Sequence, residues 1–158
     1  MFWVIFIIVA CFAVGAIMGA PYLPVRQKDA ESALDLAQVE AGQTVVDLGS
    51  GDGRMLIAAA KRGAYAIGYE INPIMYIWSI IACAKYRKSI KIRLSNYWGV
   101  KLPEADVFYV FLIDRYTKKL DAKLKKDLSK PTKVVSYVFK LPRKSIKSTS
   151  NTNLYIYP

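Results

Sequence analysis

Two acids and three glycines crowd into residues 45–54, VVDLGSGDGR: Asp47, Gly49, Gly51, Asp52 and Gly53. An apolar run that ends in an acid and a glycine turn, with an apolar helical pattern behind it, brings backbone close to a ligand at the end of a strand. A phosphate cradle is the first chemistry to weigh. The phosphate loop requires G-x-x-x-x-G-K-[ST], and GSGDGRML lacks the Lys–Ser/Thr pair. The dinucleotide fingerprint requires G-x-G-x-x-G; here the third glycine arrives one residue early, and Asp52 stands where a pyrophosphate would rest. An acid at a helix N-terminus repels phosphate but receives a cation, and Asp47 reinforces it. The turn therefore suits a phosphate-free nucleoside with a cationic or zwitterionic arm. Metal chemistry has little to work with. There is no histidine, and the two cysteines, Cys11 and Cys83, both lie in apolar stretches, so no metal site is expected.

The elements that must position these residues follow from periodicity. A helical stripe over residues 29–42 has Asp29 as its cap and Gly42 as its end. TVVDL reads as a buried strand, DGRMLIAAAKRG as a helix closed by Gly63, and AYAIGYE as the next strand. NPIMYIWSIIACAKYRK reads as a helix capped by Asn72 with Pro73 in its first position. SIKIRLS, ADVFYVFL and KVVSYVFKL supply three more strands, with a basic amphipathic helix in residues 114–130 before the last of them. NLYIYP reads as a final edge strand, antiparallel to its neighbour because residues 140–153 are too short and polar for a crossover helix. The expected fold is α/β: a mostly parallel sheet, helices on both faces, and an antiparallel C-terminal edge.

With that order in place, D-x-G-x-G-x-G resembles the first motif of class I S-adenosylmethionine-dependent methyltransferases, and the resemblance covers nearly everything after residue 20. It implies a Rossmann-like methyltransferase fold and S-adenosylmethionine as cofactor. Asp47 then bonds the ammonium of the cofactor's amino-acid arm, directly or through water, while Gly49, Ser50, Gly51, Asp52 and Gly53 lie against that arm. Glu70, ending the second strand, takes the ribose hydroxyls. Asn72 joins this cofactor group. Asn96 lies near the adenine, and Tyr97 and Trp98 stack on it or belong to the core.

A narrower resemblance begins upstream. PYLP (residues 21–24), VDLGSGDGR and GYEINP are similar to the small membrane-anchored protein-lysine methyltransferases, which include mitochondrial enzymes acting on the adenine nucleotide translocase and the ATP synthase c-subunit, and archaeal relatives. The resemblance implies transfer of a methyl group to a lysine amine of a membrane or membrane-associated protein. Such transfer requires an aligned, desolvated, neutral amine and no metal. Tyr22 is the expected catalytic residue, orienting the amine. Pro21, Pro24, Phe111 and Leu112 shape the substrate channel. A lipid or quinone methyltransferase is the main rival, and a scaffold that binds cofactor without activity is a third reading. Amide or adenine methylation is disfavoured, because the fourth strand continues as FLIDRY without [ND]-P-P-[YFW].

Residues 1–20 carry no charge, enough length for one bilayer span. A cleaved signal peptide competes with this reading but lacks a basic start. Arg26 and Lys28 are the first charges, which places the catalytic part in the cytoplasm and the N-terminus outside. The expected organisation is an anchor (1–20), a connector with the first helix (21–41) and a methyltransferase domain (42–158). Net charge is +11, and residues 85–147 hold 18 of the 23 cationic residues against 5 of the 12 acids. That half could face anionic lipid headgroups or only water; nucleic acid is the less favoured partner.

Overall fold

Five strands hydrogen-bond in parallel through the middle of the molecule. Four of them are rich in Val, Ile, Tyr or Phe, and none can satisfy its backbone alone. The computed structural model describes residues 2–3 and 25–158. The strands are β1 (Thr44–Leu48), β2 (Tyr65–Glu70), β3 (Ile90–Leu94), β4 (Val107–Phe111), β5 (Thr132–Tyr137), β6 (Lys147–Ser148) and β7 (Thr152–Tyr157). They form one sheet in the order β3-β2-β1-β4-β5-β7-β6. β7 runs antiparallel to β5 over Thr132↔Tyr157 to Tyr137↔Thr152. It is not the edge, however: the two-residue β6 pairs outside it.

Connections are helical: α1 (Gln27–Leu36) precedes β1, α2 (Arg54–Lys61) joins β1 to β2, α3 (Pro73–Ala82) joins β2 to β3, and α4 (Thr117–Asp127) joins β4 to β5. Strand order reverses direction at β1. Right-handed crossovers therefore put α2 and α3 on one face and α4 on the other. The two cores agree. Ala33, Leu34, Leu56, Ala59 and Val45 pack with α1 and α2 on the first face, whereas Leu120, Leu124, Phe108 and Tyr155 pack with α4 on the second.

α1 differs from the sequence reading at both ends. Its N-cap is Arg26, with no side-chain cap bond, and it stops at Leu36, well before Gly42. Asp29 lies inside the first turn and accepts a hydrogen bond from the Tyr137 hydroxyl at 3.0 Å. Arg62, just past α2, ion-pairs with Glu31 and Asp35 at 2.8 Å each, which fixes α1 across the start of the site. Asn72 caps α3 as expected, accepting from Ile74 N–H at 2.9 Å.

Pro21, Tyr22, Pro24 and the apolar stretch read as an anchor fall outside the described residues, apart from Phe2 and Trp3. Among the described residues no helix is long and apolar enough to cross a membrane.

Candidate cofactor and methyl-acceptor site

Strand order switches between β1 and β4, and open α/β sheets bind ligands in a crevice beyond the carboxyl ends at such a point. The glycine turn sits on this rim. Gly49 is exposed with φ +99, and a Cβ there would meet no atom within 4 Å, so its backbone borders open space. Gly53 starts α2 with φ +83, and a Cβ would come 2.7 Å from Cys83 Sγ. Both conformations strain any residue with a side chain.

The turn's amides are directed inward. Gly49 N–H and Ser50 N–H both donate to the Tyr69 carbonyl at 2.9 Å, and Gly53 N–H donates to the Ser50 carbonyl at 2.9 Å. Gly51 N–H donates to Glu70 Oε2 at 2.8 Å. With four amides committed this way, the turn offers no phosphate cradle, a stronger exclusion than the sequence pattern alone provides.

Asp47, next to last in β1, is 4% exposed. Burial first, then the charges of Glu70 and Asp52, push its carboxyl well above the usual carboxylate range, and among the described residues no hydrogen bond offsets the shift. This is an uncompensated acid facing other acids, and an ammonium group would relieve it. Tyr109, paired with Asp47 across β4, is buried with its hydroxyl unbonded among the described residues. Its pKa is raised by burial and then by Asp47. The sequence offered no sign of Tyr109, since a tyrosine inside VFYVF reads only as core. Its position opposite Asp47 needs the β1–β4 register.

Several expected contacts are redirected. The cation on Asp52 is the chain's own: Arg54 Nε donates to its carboxylate at 3.0 and 2.9 Å, and Arg54 also ion-pairs with it through Nη2. Arg54 bonds the Val25 carbonyl as well, tying the connector to the rim of the turn. Asp52 repels anions from the turn but does not await a ligand cation. Ser50 turns its hydroxyl away from the crevice: it lies where a Cβ on Gly68 would approach to 2.6 Å. Asn72 commits its Oδ1 to the α3 cap. Asn96 likewise caps the short turn behind β3, accepting from Trp98 N–H at 3.1 Å. Each asparagine thus caps the helical turn that follows it. Leu112 is buried in the second core, so only its backbone can line a channel. Phe111 is half-buried and meets Tyr137 edge-on, with centroids 5.1 Å apart.

Glu70 does stand at the rim. Its Oε1 accepts from Ile71 N–H at 2.9 Å and Asn72 N–H at 2.7 Å, alongside the Gly51 bond to Oε2. Tyr97 and Trp98 lie 4.7 Å apart, half-buried against the second core, with Trp98 near Tyr116. The core reading of these two side chains is met on their buried side.

Gly68 decides whether the turn can close onto β2. A methyl there would come 2.6 Å from Ser50 Oγ and 2.7 Å from Leu56 Cδ1. Gly68→Ala is expected to cost about 1–3 kcal/mol through overpacking. In thermal melts the midpoint falls by about 2–10 °C, whereas Gly99→Ala, with open space around it, stays within about 2 °C. Equal midpoints for the two variants would contradict this packing.

Comparisons with known proteins follow the same outline. The family described as the ANTKMT methyltransferase domain matches residues 47–148. The human lysine N-methyltransferase of the ATP synthase c-subunit is 32% identical over 129 residues, covering 77% of this chain and 53% of that protein. The chain thus spans about half the length of such relatives. A protein-lysine N-methyltransferase of Saccharolobus islandicus is 32% identical over 148 residues, covering 87% of this chain and 92% of that one. Among solved structures, an RNA methyltransferase from Salinibacter ruber in complex with S-adenosyl-L-homocysteine superposes with TM-score 0.78 at 28% identity, covering 86% of this chain and 94% of that chain.

Proposed function

The chain belongs to the ANTKMT methyltransferase domain family, and from that membership and the geometry of the crevice we propose that it is an S-adenosylmethionine-dependent methyltransferase acting on a lysine side chain of a protein. The observation that carries this reading is the pairing of Asp47, buried and uncompensated, with Glu70, held by three amides across the glycine turn. Such a site fits a ligand with an ammonium at one end and a ribose at the other. The protein-lysine relatives from human and Saccharolobus islandicus support lysine as the acceptor.

When bound, the cofactor supplies a methyl group on a sulfonium; transfer breaks its C–S bond, forms a C–N bond to the amine and leaves the thioether. The chain's part is alignment and exclusion of water. Asp47 takes the ammonium, Glu70 the ribose hydroxyls, and Gly49 lets the backbone come close. Tyr97 and Trp98 bound the base. Val25 is held to Arg54 at the rim, and Tyr22 precedes it by three residues, a span of at most about 11 Å. In this proposal the Tyr22 phenol accepts an N–H of a neutral lysine amine, leaving the nitrogen lone pair to face the methyl. The family resemblance assigns the approach to Pro21, Pro24 and Phe111. The proton shed by the amine passes to solvent.

Incubating the full chain with tritiated cofactor and membranes, then separating protein, lipid and RNA, tests the acceptor class. Label in protein that survives alkali and hydrolyses to methyl-lysine is expected. Label confined to lipid would establish the rival reading; label confined to RNA would favour the chemistry named for the Salinibacter ruber neighbour. Tyr22→Phe should keep cofactor affinity while turnover falls by about 100-fold; lost affinity instead would mean that Tyr22 holds the cofactor. The uncharged residues 1–20, followed by Arg26 and Lys28, support placing the domain on the cytoplasmic side of a membrane. Protease added to sealed inside-out vesicles should then digest it.

A further inference from the structure

α3 buries little of itself. Of its ten residues only Met75 and Ser79 are buried, followed by Cys83 just past its end. On the opposite side Ile77, Trp78, Ile80 and Ile81 are 59, 64, 45 and 68% exposed, whereas α1, α2 and α4 expose no large apolar side chain. Leu94, also exposed, continues the patch from the end of β3, which packs beside α3. Four adjacent apolar side chains on one helix face depart from the scattered singles normal on a soluble surface.

The surroundings of the patch say what covers it. Residues 71–103 contain six cations (Lys85, Arg87, Lys88, Lys91, Arg93 and Lys101) and no acid. Lys85, Arg87 and Lys88 follow directly on α3 and are exposed. A second copy of the chain would meet this face with the same acid-free surface, so pairing would oppose like charges without compensation. An anionic bilayer presents the complementary arrangement, with negative headgroups for the cations and hydrocarbon just below for the isoleucines. Trp78 is the side chain that favours that boundary.

The fold also brings α3 near Val25. Gly53 packs against Ser79 and Cys83, and its neighbour Arg54 holds Val25, five residues beyond the uncharged residues 1–20.

We propose that the outer face of α3, with Lys85, Arg87 and Lys88, is a membrane-docking surface that inserts Ile77, Trp78 and Ile81 into the interface of an anionic bilayer. The inference rests on α3 and its flanks and does not depend on the methyl acceptor. It fixes the orientation of the domain: α3 lies along the bilayer surface, with its first residues at the carboxyl edge and Lys85, Arg87 and Lys88 at the amino edge.

The test uses the full chain in vesicles of phosphatidylcholine containing about one-third brominated phosphatidylglycerol. Emission from Trp78 is obtained as the difference between the chain and Trp78→Phe; that from Trp3, as the difference from Trp3→Phe. Quenching of the Trp78 component by at least about half is expected, weakening as salt rises. The triple variant Lys85→Glu, Arg87→Glu, Lys88→Glu should lose it while keeping S-adenosylhomocysteine affinity. The pair Ile77→Ser and Ile81→Ser should lose it as well. A Trp78 component left unquenched while Trp3 is quenched would overturn the proposal, and is the result expected if residues 1–20 or a second copy cover α3. Failure of Trp3 alone to quench would count against the anchor and leave α3 docking standing.

Discussion

Replacing Asp47 with Asn is expected to raise the melting temperature of the ligand-free protein by about 3 °C or more while S-adenosylhomocysteine affinity falls by about 100-fold or more. The two effects have one cause. Asp47 is buried beside Glu70 and Asp52, and its carboxyl is pushed up mainly by burial and then by those charges. A group whose folded pKa is raised favours the protonated native state. Stability therefore declines as pH rises from the ordinary carboxylate value of 3.8 to the raised one, and stays low above it. Asn removes that penalty at neutral pH with almost the same shape. In the complex, the ligand's ammonium favours the ionised acid, so below the raised pKa binding must release a proton. Affinity for the chain itself should thus increase with pH through this window and then level off. Titration calorimetry in buffers of different ionisation enthalpy reads the proton directly. Asp47→Asn should abolish it. A variant that bound normally would show that Asp47 does not meet the ammonium; one that melted lower would show that the buried acid has a donor.

Sequence patterns revealed most of the architecture because short parallel strands and their crossover helices leave strong apolar runs. TVVDL coincides with β1 residue for residue, and the Asn72–Pro73 start of α3 is local chemistry that needs no tertiary information. Glu70 and the glycines were legible for the same reason, since position along the chain fixes position at the carboxyl edge. What escaped depends on partners distant in sequence or on side chains that fold back. Asp52 looked like a cation receiver until Arg54, two residues on, turned back to occupy it. Gly42 has the residue type of a helix end, yet α1 stops at Leu36, where Ala37 and Gln38 close it. Tyr109 becomes notable only through its register with Asp47. The exposed face of α3 was hidden in plain composition: NPIMYIWSIIACA is apolar all round, so the periodicity could not say which side is covered.

Glu70→Gln should weaken S-adenosylhomocysteine binding by about 100-fold or more, through a different part of the ligand than Asp47→Asn. The carboxylate has about four lone-pair sites. Ile71 and Asn72 N–H groups occupy Oε1, and Gly51 N–H occupies one site on Oε2. These bonds fix the carboxylate before any ligand arrives, and in the proposed complex the remaining Oε2 site would take a ribose hydroxyl. A second hydroxyl must share Oε1 or displace Gly51 N–H, so ribose binding and the set of the glycine turn are coupled through one side chain. Glutamine keeps an acceptor for Ile71 and Asn72 but sets an NH₂ against Gly51 N–H, donor facing donor. That leaves a backbone group unpaired, at a cost of about 1–3 kcal/mol, and removes hydrogen bonds to a charged acceptor worth about 1.5–3 kcal/mol each. The melting temperature should therefore fall, opposite to Asp47→Asn. Adenosine separates the two roles, because it has the ribose and lacks the ammonium. By NMR titration its weak binding should survive Asp47→Asn and vanish in Glu70→Gln. Loss of adenosine binding in both variants would mean that Asp47 acts by shaping the turn, and retention in both would remove Glu70 from the ribose.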